Sequence, residues 1–288
     1  MLFRGFIFLV RERFVHANAI RFHVVEDGPD DGPLVLLLHG FPEFWYSWRH
    51  QLPALAARGL HACAPDLRGY NLSDKPSGLA SYDIEVLARD VAELVGALGA
   101  ERAAIVGHDW GGAIAWQVAM SHPERVTRLA VLSCPHPFAI ARALIRSRAQ
   151  RRRSWYFFFF QLPLLPERRL SGDGIRVWIR GWGGRMGESD LDRYVDAFAQ
   201  PGALTAAINY YRAALGLARR SLRARPPKVQ APALVIWGAQ DRILGLELTQ
   251  DLERWMAAPV RLEILADAGH FVQQDAPDEV SRLLCEFL

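Results

Sequence analysis

A chain of 288 residues with 51% hydrophobic and 23% charged residues has the composition of a globular protein, neither disordered nor membrane-spanning. Its net charge of +3 is too small to indicate a nucleic-acid partner. The densest basic run, Arg142 to Arg153, has no nucleic-acid motif beside it, and we interpret it as the solvated face of a helix.

The N-terminus and the cysteines carry no targeting or metal-binding signal. The apolar run before Arg11 is shorter than the apolar region of a signal peptide, and a membrane span would need about 20 apolar residues. At most, this run forms a surface-adhering tail. The cysteines, Cys63, Cys134 and Cys285, have no metal-ligand spacing, so we expect free buried thiols in a reducing compartment. We expect a cytoplasmic protein, a monomer or a homodimer.

Strand and helix patterns alternate along the first part of the chain. The run Leu34 to Leu38 is continuously apolar, which is typical of a strand buried on both faces. In chain order, we predict strands at Arg13–Ala17, Ile20–Val25, Leu34–Leu38, His61–Ala64, Ala103–Val106 and Val126–Ser133, the first two as an antiparallel pair around Asn18-Ala19. We predict helices near Trp45–Arg58 and at Ile84–Leu98 and Gly112–Ser121.

The pattern changes after Cys134-Pro135-His136-Pro137. From about Phe138 to Arg225 the chain lacks buried strand runs and is helical, arginine-rich and aromatic, until Pro226-Pro227 closes the stretch. Strand patterns resume at Ala233–Trp237 and Val260–Leu265, before a final helix at Asp278–Leu288. We predict an α/β fold with a mostly parallel sheet flanked by helices, in which residues 1–135 and 229–288 form the core and residues 136–228 form an inserted helical lid.

Asp109 lies in the segment Ala-Ala-Ile-Val-Gly-His-Asp-Trp-Gly-Gly, which matches a nucleophile elbow between a strand and a helix. Gly107 and Gly111 suit this turn because a Cβ at either position would collide where strand and helix cross. A carboxylate that attacks an ester gives only a labile anhydride, whereas attack on an sp³ carbon leaves a stable alkyl ester. The motif therefore predicts the opening of an epoxide or of a carbon–halogen bond.

Two later residues have the chemistry and the position to assist such a nucleophile. Asp241 follows the strand Ala233–Trp237, and His270 follows the strand Val260–Leu265. Catalytic groups of open α/β sheets gather at the carboxyl ends of the strands, and the order nucleophile, acid, histidine is that of α/β-hydrolases. We predict that Asp109, Asp241 and His270 form a catalytic triad.

A fourth element follows the strand Leu34–Leu38 and reads His39-Gly40-Phe41-Pro42. The backbone N–H of Phe41, together with that of Trp110, can form an oxyanion hole that orients the carboxylate and then stabilises a tetrahedral oxyanion. We interpret His39 as a brace for the loop. The side chain of His108 should point away from the nucleophile.

The chain resembles the epoxide hydrolase branch of the α/β-hydrolase fold along essentially its whole length. The resemblance is carried by His-Gly-Phe-Pro-Glu-Phe-Trp-Tyr-Ser-Trp-Arg, Asp-Leu-Arg-Gly-Tyr-Asn-Leu-Ser-Asp-Lys-Pro, Gly-His-Asp-Trp-Gly-Gly and Gly-His-Phe-Val-Gln-Gln-Asp-Ala-Pro. Several of these segments are shared with haloalkane and haloacetate dehalogenases. They therefore define the fold better than the leaving group.

The resemblance also implies a source of protons in the lid. Opening an epoxide generates an alkoxide, which needs a proton, and epoxide hydrolases provide it from two lid tyrosines. Tyr156 and Tyr211 lie in segments that resemble those carrying the family's tyrosines, whereas we interpret Tyr210 as packing. The implied activity is the opening of a hydrophobic epoxide to a vicinal diol by Asp109 and water, without a metal or another cofactor.

The alternatives lack parts that their families use. Haloalkane dehalogenases commonly place Asn where this chain has Phe41, and haloacetate dehalogenases carry arginines where it has Trp110, Gly111 and Gly112. A non-catalytic α/β-hydrolase scaffold would have a broken triad. The aromatic residues of the lid and of the core loops predict an apolar substrate pocket, for which we expect the side chains of Phe41, Trp110, Trp155 and Phe157.

Overall fold

The computed structural model describes residues 10–221 and 226–288, with the backbone alone for residues 215–221. The apolar N-terminal run before Val10 lies outside the described residues, so its interpretation stays a prediction. Of the helices within the described ranges, none combines the length and the apolar character that a membrane crossing requires.

A twisted sheet of eight strands forms the centre of the described chain. The strands are β1 Arg11–Ala17, β2 Ile20–Asp27, β3 Leu34–Leu38, β4 His61–Pro65, β5 Ala103–His108, β6 Val126–Leu132, β7 Ala233–Gly238 and β8 Val260–Leu265. Their order is β1-β2-β4-β3-β5-β6-β7-β8. The pairs β1–β2 and β2–β4 are antiparallel, and β3 to β8 pair in parallel, which confirms the predicted sheet.

The local sequence explains the two ends of this order. Asn18 and Ala19 connect β1 to β2 with φ of 44° and 58°, the left-handed values that a two-residue hairpin turn needs. β3 lies inside the sheet between β4 and β5, and each of its five residues is at most 5% exposed. The continuous apolar run Leu34 to Leu38 is therefore buried on both faces, as predicted.

Helices cover the sheet and form the segment between β6 and β7. The helices that cover the sheet are α1 Gln51–Ala56, α2 Ile84–Ala97, α3 Trp110–Ser121, α11 Val272–Asp275 and α12 Pro277–Phe287. Those of the inserted segment are α4 Pro137–Arg146, α5 Arg148–Arg153, α6 Trp155–Phe159, α7 Leu165–Leu170, α8 Gly174–Gly181, α9 Glu188–Ala199 and α10 Ala203–Ser221. The predicted helical insertion is thus present, and we propose residues 136–228 as the bounds of the lid.

One predicted helical stretch is divided into two elements. The stretch near Trp45–Arg58 forms a short 3-10 turn at Trp45–Trp48 and a separate helix α1. Pro53 explains the division, because proline has no N–H and its ring collides with the carbonyl four residues earlier. It is tolerated in the first turn of α1 but not in the middle of a continuous helix.

Candidate active site

The Asp109 backbone occupies a strained turn between β5 and α3. Its φ of 48° and ψ of −118° are unfavourable for a residue with a side chain and typically cost about 1–3 kcal/mol. The surrounding glycines permit the turn. A Cβ on Gly107 would lie 2.2 Å from the Gly111 oxygen, and a Cβ on Gly111 would lie 2.1 Å from the Leu38 oxygen. The backbone therefore approaches too closely here for any other residue type, as the motif predicts.

The Asp109 carboxylate lies between two groups that are distant from it in sequence. The backbone N–H of Phe41 donates a hydrogen bond of 2.8 Å to Asp109 Oδ1. On the other side, His270 Nε2 lies 3.6 Å from Asp109 Oδ2. The N–H of Trp110, the second predicted oxyanion donor, is at the first position of α3, where no helical carbonyl accepts it.

Asp241 orients His270 from the opposite side of the imidazole. His270 Nδ1 donates to Asp241 Oδ2 over 2.8 Å, while Asp241 Oδ1 accepts the backbone N–H groups of Ile243 and Leu244 at 2.8 and 2.9 Å. Asp241 follows β7 and His270 follows β8, so the parallel strands bring both to the edge at which β5 delivers Asp109. The structure thus brings the three predicted triad residues together.

The charge of His270 depends on both carboxylates. Burial lowers its pKa, but Asp241 and Asp109 outweigh burial and raise the pKa to about 10. At neutral pH the imidazole is therefore protonated as long as Asp109 carries its negative charge. This coupling matters for the proposed reaction below.

His39 braces the loop after β3. Its Nε2 accepts the backbone N–H of Leu67 at 3.0 Å, so the proton of the ring is on Nδ1, which lies 2.9 Å from the Gly40 oxygen. Burial lowers the pKa of His39, which favours this neutral form. These contacts agree with the interpretation of His39 as a structural residue.

A buried carboxylate behind His270 is the part of the site that sequence reasoning missed. Glu43 lies 2.6 Å from His108 Nδ1 and accepts hydrogen bonds from Gln273 and Gln274. His108 Nε2 in turn lies 2.8 Å from the backbone oxygen of His270. The His108 side chain thus points away from Asp109, as expected, and links the loop after β3 to the backbone that carries His270. An acidic residue in the apolar segment after His39-Gly40 was the only sequence signal for it.

The lid places two tyrosines over this edge of the sheet. Tyr156 on α6 and Tyr211 on α10 are both buried, and their ring centroids lie 5.9 Å apart. The Tyr211 hydroxyl lies beside the Trp110 indole, which can only donate to it, and its own proton has no acceptor among the described residues. By contrast, the Tyr210 hydroxyl donates to the Arg68 oxygen at 2.7 Å. Tyr210 therefore connects the lid to the core, which agrees with its interpretation as a packing residue.

Burial also sets the protonation of the two tyrosines. It raises the pKa of Tyr156 and of Tyr211 well above the usual value, and the nearby Asp109 carboxylate acts in the same direction. Both side chains therefore carry their hydroxyl proton at neutral pH. They are hydrogen-bond donors to whatever group occupies the space above Asp109.

A cavity of about 190 Å³ connects these groups. Its wall includes Asp109, Trp110, Tyr156, Phe157 and Tyr211, and it is almost entirely apolar. The wall also contains Cys134, Ile140, Leu144 and Leu244, which no sequence motif had indicated as pocket residues.

Two of the four predicted pocket side chains do not line this cavity. Trp155 points outward and is 53% exposed, because neighbouring residues of a helix lie about 100° apart and Tyr156 takes the inward position. Phe41 is buried, with its ring against Phe160 and Tyr211. The prediction of a pocket-lining side chain is wrong for these two residues, although the Phe41 backbone contacts Asp109.

One cluster of potential metal ligands lies away from the predicted triad, on β2 and β4. Glu26, His61 and Cys63 have ligand atoms within 4.8 Å of one another. However, Arg13 donates to Glu26 Oε2 at 2.9 Å, and burial raises the pKa of the Cys63 thiol. The guanidinium already balances the carboxylate, so these residues form a satisfied ionic network. All three cysteines are free thiols, with Cys285 only half-buried.

Comparisons with known proteins match this arrangement. The sequence model of the alpha/beta hydrolase fold family matches residues 33–277. The AB hydrolase superfamily protein YfhM of Bacillus subtilis is 39% identical, over 97% of this chain and 98% of its own length. Epoxide hydrolase A of Mycobacterium tuberculosis is 35% identical, over 96% of this chain and 97% of its own length. Epoxide hydrolase 4 of Homo sapiens is 37% identical, over 94% of this chain and 76% of its own length.

The chain belongs to the epoxide hydrolase family. Solved structures of this family agree over nearly the whole length. An epoxide hydrolase mutant from Bacillus megaterium, in complex with its product, aligns with a TM-score of 0.87 and 32% identity, over 96% of this chain and 99% of that one. Epoxide Hydrolase A from Mycobacterium thermoresistibile aligns with a TM-score of 0.82 and 33% identity, over 97% of this chain and 98% of that one.

The family and the fold thus confirm the resemblance that the motifs indicated. Because the alignments cover almost all of this chain, they include the helical insertion as well as the sheet. The similarity in sequence and in structure establishes that this chain is related to the epoxide hydrolases. The roles of individual residues follow from the geometry and are proposed next.

Proposed function

We propose that this protein is an epoxide hydrolase that opens a hydrophobic epoxide to a vicinal diol through a covalent ester on Asp109. The observation that supports it best is the cavity itself. A carboxylate held by the Phe41 N–H lies in an apolar wall that also carries two buried tyrosines, Tyr156 and Tyr211. This combination offers a nucleophile on one side of a substrate and proton donors for a leaving oxygen.

In the first step, Asp109 attacks a ring carbon while Tyr156 and Tyr211 donate hydrogen bonds to the epoxide oxygen. The carbon–oxygen bond breaks as the ester bond forms, and one tyrosine transfers its proton to the alkoxide. Both pKa values are raised, so both hydroxyls are protonated and available for this donation. The product is a hydroxyalkyl ester of Asp109.

The second step needs a neutral His270, and the first step provides it. Once Asp109 is esterified it loses its negative charge, and with it a cause of the raised pKa of His270. The imidazolium then releases its proton to the tyrosinate. Neutral His270 next deprotonates a water molecule that attacks the ester, with the Phe41 and Trp110 N–H groups stabilising the oxyanion. Release of the diol restores the Asp109 carboxylate and the imidazolium next to Asp241.

The opposing candidate uses the same nucleophile on a haloalkane or a haloacetate. A departing halide needs N–H donors and no proton, so it gives no role to two buried hydroxyls. Haloacetate dehalogenases carry arginines just after the nucleophile to hold the substrate carboxylate, where this chain has Trp110, Gly111 and Gly112. Phe41 stands at the position where haloalkane dehalogenases commonly carry Asn. These observations favour the epoxide.

The test is a paired assay on styrene oxide and on a haloalkane of similar size. We expect diol formation from styrene oxide with little or no halide release from the haloalkane. The double substitution Tyr156→Phe and Tyr211→Phe should lower kcat/KM for the epoxide by about 10²–10⁴-fold, because each change removes only a proton donor.

Tyr210→Phe is the matched control, since its hydroxyl contacts the Arg68 oxygen and not the cavity. It should retain most of the epoxide activity. Dominant halide release by the unmodified chain, or full activity of the double variant, would contradict the epoxide assignment in favour of a dehalogenase.

A further inference from the structure

The outer face of α6 is apolar although it is exposed. Trp155, Phe158 and Leu162 are 53%, 66% and 44% exposed and follow one another at spacings of three and four residues, along α6 and the turn after it. We call these three residues the lid stripe. Tyr156 and Phe160 fill the inner face of the same segment. A helix that is apolar on every side is normally buried on every side. The exposed lid stripe therefore indicates a surface that another molecule covers.

The exposed apolar residues of the protein are concentrated around this stripe. Among the described residues, twelve large hydrophobic side chains are exposed, and seven of them lie between residues 145 and 177. The four besides the lid stripe are Ile145, Leu164, Leu165 and Val177. The Trp178 ring, next to Val177, lies 5.7 Å from the Trp155 ring, and Arg151 donates to the Ile145 oxygen. These contacts hold the segments around Ile145 and Val177 next to the lid stripe, and we call the seven residues the apolar patch.

The segment that precedes and carries the lid stripe is basic, and acidic residues of the lid begin only at Glu167. Residues 137–166 include six arginines and no Lys, Asp or Glu. Arg148, Arg151 and Arg152 are exposed, and no described carboxylate lies within ion-pair distance of them. Elsewhere in the lid, arginines such as Arg176 and Arg212 pair with acidic neighbours. Arg148, Arg151 and Arg152, within the basic run Arg142 to Arg153, thus form a positive border beside the lid stripe, whereas Arg153 pairs with Glu247.

The lid stripe and its basic border each contribute one residue to the wall of the cavity. The cavity wall that begins at Asp109 also includes Leu144, Arg151 and Phe158. Phe158 belongs to the lid stripe, and Arg151 belongs to the basic border. A molecule lying on this face of the lid would therefore be next to the entrance that leads to Asp109.

We propose that the lid stripe and its arginine border dock on an anionic lipid surface. Aromatic and aliphatic side chains enter the boundary between headgroups and acyl chains, and each nearby arginine adds about 1 kcal/mol of attraction to an anionic leaflet. A second copy of the chain fits this face less well. In a two-fold dimer the patch would meet itself and bring the unpaired arginines of both copies together. An anionic lipid surface can bury the apolar side chains and also balance the positive charge of the arginines.

This inference does not depend on the epoxide chemistry, and it is tested by binding. The full chain is sedimented with vesicles of phosphatidylcholine alone and of phosphatidylcholine with phosphatidylglycerol. We expect binding to the anionic vesicles that weakens with added salt, and little binding to the neutral ones. Trp155→Ser with Phe158→Ser, and separately Arg148→Glu with Arg152→Glu, should each lower the affinity by at least about tenfold.

Matched controls change the same kinds of residue elsewhere on the surface. Phe14→Ser with Leu79→Ser, and Arg58→Glu with Arg89→Glu, alter exposed residues outside the lid and should leave vesicle binding within about twofold. Circular dichroism melting of each variant verifies that it is folded.

Three results would overturn the proposal. Equal loss of binding in the lid and control variants would mean non-specific attraction. Loss of binding only when residues 1–9 are deleted would assign it to the N-terminal run. Absence of vesicle binding, with a dimer in sedimentation equilibrium that Trp155→Ser with Phe158→Ser dissociates, would mean that a second copy covers the patch.

Discussion

At the scale of single residues, the protonation of His270 connects the two proposed steps. Two carboxylates raise its pKa to about 10 against the effect of burial, Asp241 at 2.8 Å and Asp109 at 3.6 Å. In the proposed reaction, esterification of Asp109 removes one of these charges. A change in one functional group can thus convert a stored imidazolium into a base at the moment when a base is needed.

The first prediction separates the two steps by mass. His270→Gln should still form the ester on Asp109 but not hydrolyse it, because alkylation needs Asp109 and the tyrosines alone. Intact-protein mass spectrometry after addition of styrene oxide should show the variant heavier by one substrate. Asp109→Asn should show no adduct at early times. Normal turnover by His270→Gln would mean that another group is the base.

The second prediction concerns stability and pH. A group whose pKa is raised from 6.5 to about 10 by folding stabilises the native state fully below pH 6.5, and this stabilisation is lost as the pH rises through about 10. The free energy of unfolding of the unmodified chain should therefore fall more steeply between pH 7 and pH 10 than that of His270→Gln. Urea denaturation at several pH values measures both. Parallel curves would show that His270 is not held as an imidazolium.

At the scale of elements, the elbow depends on how closely β3, β5 and α3 approach one another. The backbone of α3 at Gly111 touches the end of β3, and this contact positions Asp109 next to the Phe41 N–H. The close approach is possible only because Gly107 and Gly111 have no Cβ. The geometry of the nucleophile is therefore a property of three elements and not of one turn.

The third prediction tests this close packing. Gly111→Ala should destabilise the fold by about 3 kcal/mol or more, because its Cβ would lie 2.1 Å from the Leu38 backbone oxygen, which cannot swing aside as a side chain can. Gly96→Ala in α2 is the control, since a Cβ there meets nothing within 4 Å. It should stabilise the protein by about 0.5–1 kcal/mol, the usual gain of alanine over glycine in a helix. Chemical denaturation compares the two, and a tolerated Gly111→Ala would contradict the packing argument.

At the scale of the whole molecule, polar contacts hold the lid on the core at the side of the cavity. Asp190 on α9 accepts hydrogen bonds from the Tyr46 hydroxyl at 2.9 Å and from Arg49 at 3.2 Å, both of which lie in the core after β3. The same α9 carries Tyr194, whose hydroxyl accepts from Gln274 beyond β8. The lid therefore contacts two of the loops that carry the proposed catalytic groups.

The fourth prediction loosens this contact. Asp190→Ala removes both bridging hydrogen bonds and should destabilise the docking of α9 by about 1–3 kcal/mol. Hydrogen exchange followed by mass spectrometry should show faster exchange in α9 than in the unmodified chain. Asp173→Asn is the control, because Asp173 is highly exposed and pairs only with Arg176 within the lid. Equal exchange in the two variants would show that Asp190 does not anchor the lid.

The sequence by itself determined the elements whose signal is local. The strand patterns at Leu34–Leu38 and Val260–Leu265 predicted β3 and β8 with their observed bounds, and the glycines around Asp109 predicted the elbow. The order of Asp109, Asp241 and His270 after three strands also predicted that they would meet, because parallel strands end at one edge. Local composition likewise predicted the helical insertion between β6 and β7.

Only the tertiary structure decided which faces and which distant groups meet. The sequence assigned Trp155 to the pocket, but the rotation of α6 turns it outward and places Tyr156 inward. The contact of Glu43 with His108 and Gln273 joins residues up to 230 positions apart, for which no local pattern exists. Periodicity fixes what an element is, whereas packing against the rest of the chain fixes its rotation, its neighbours and the pKa values of its buried groups.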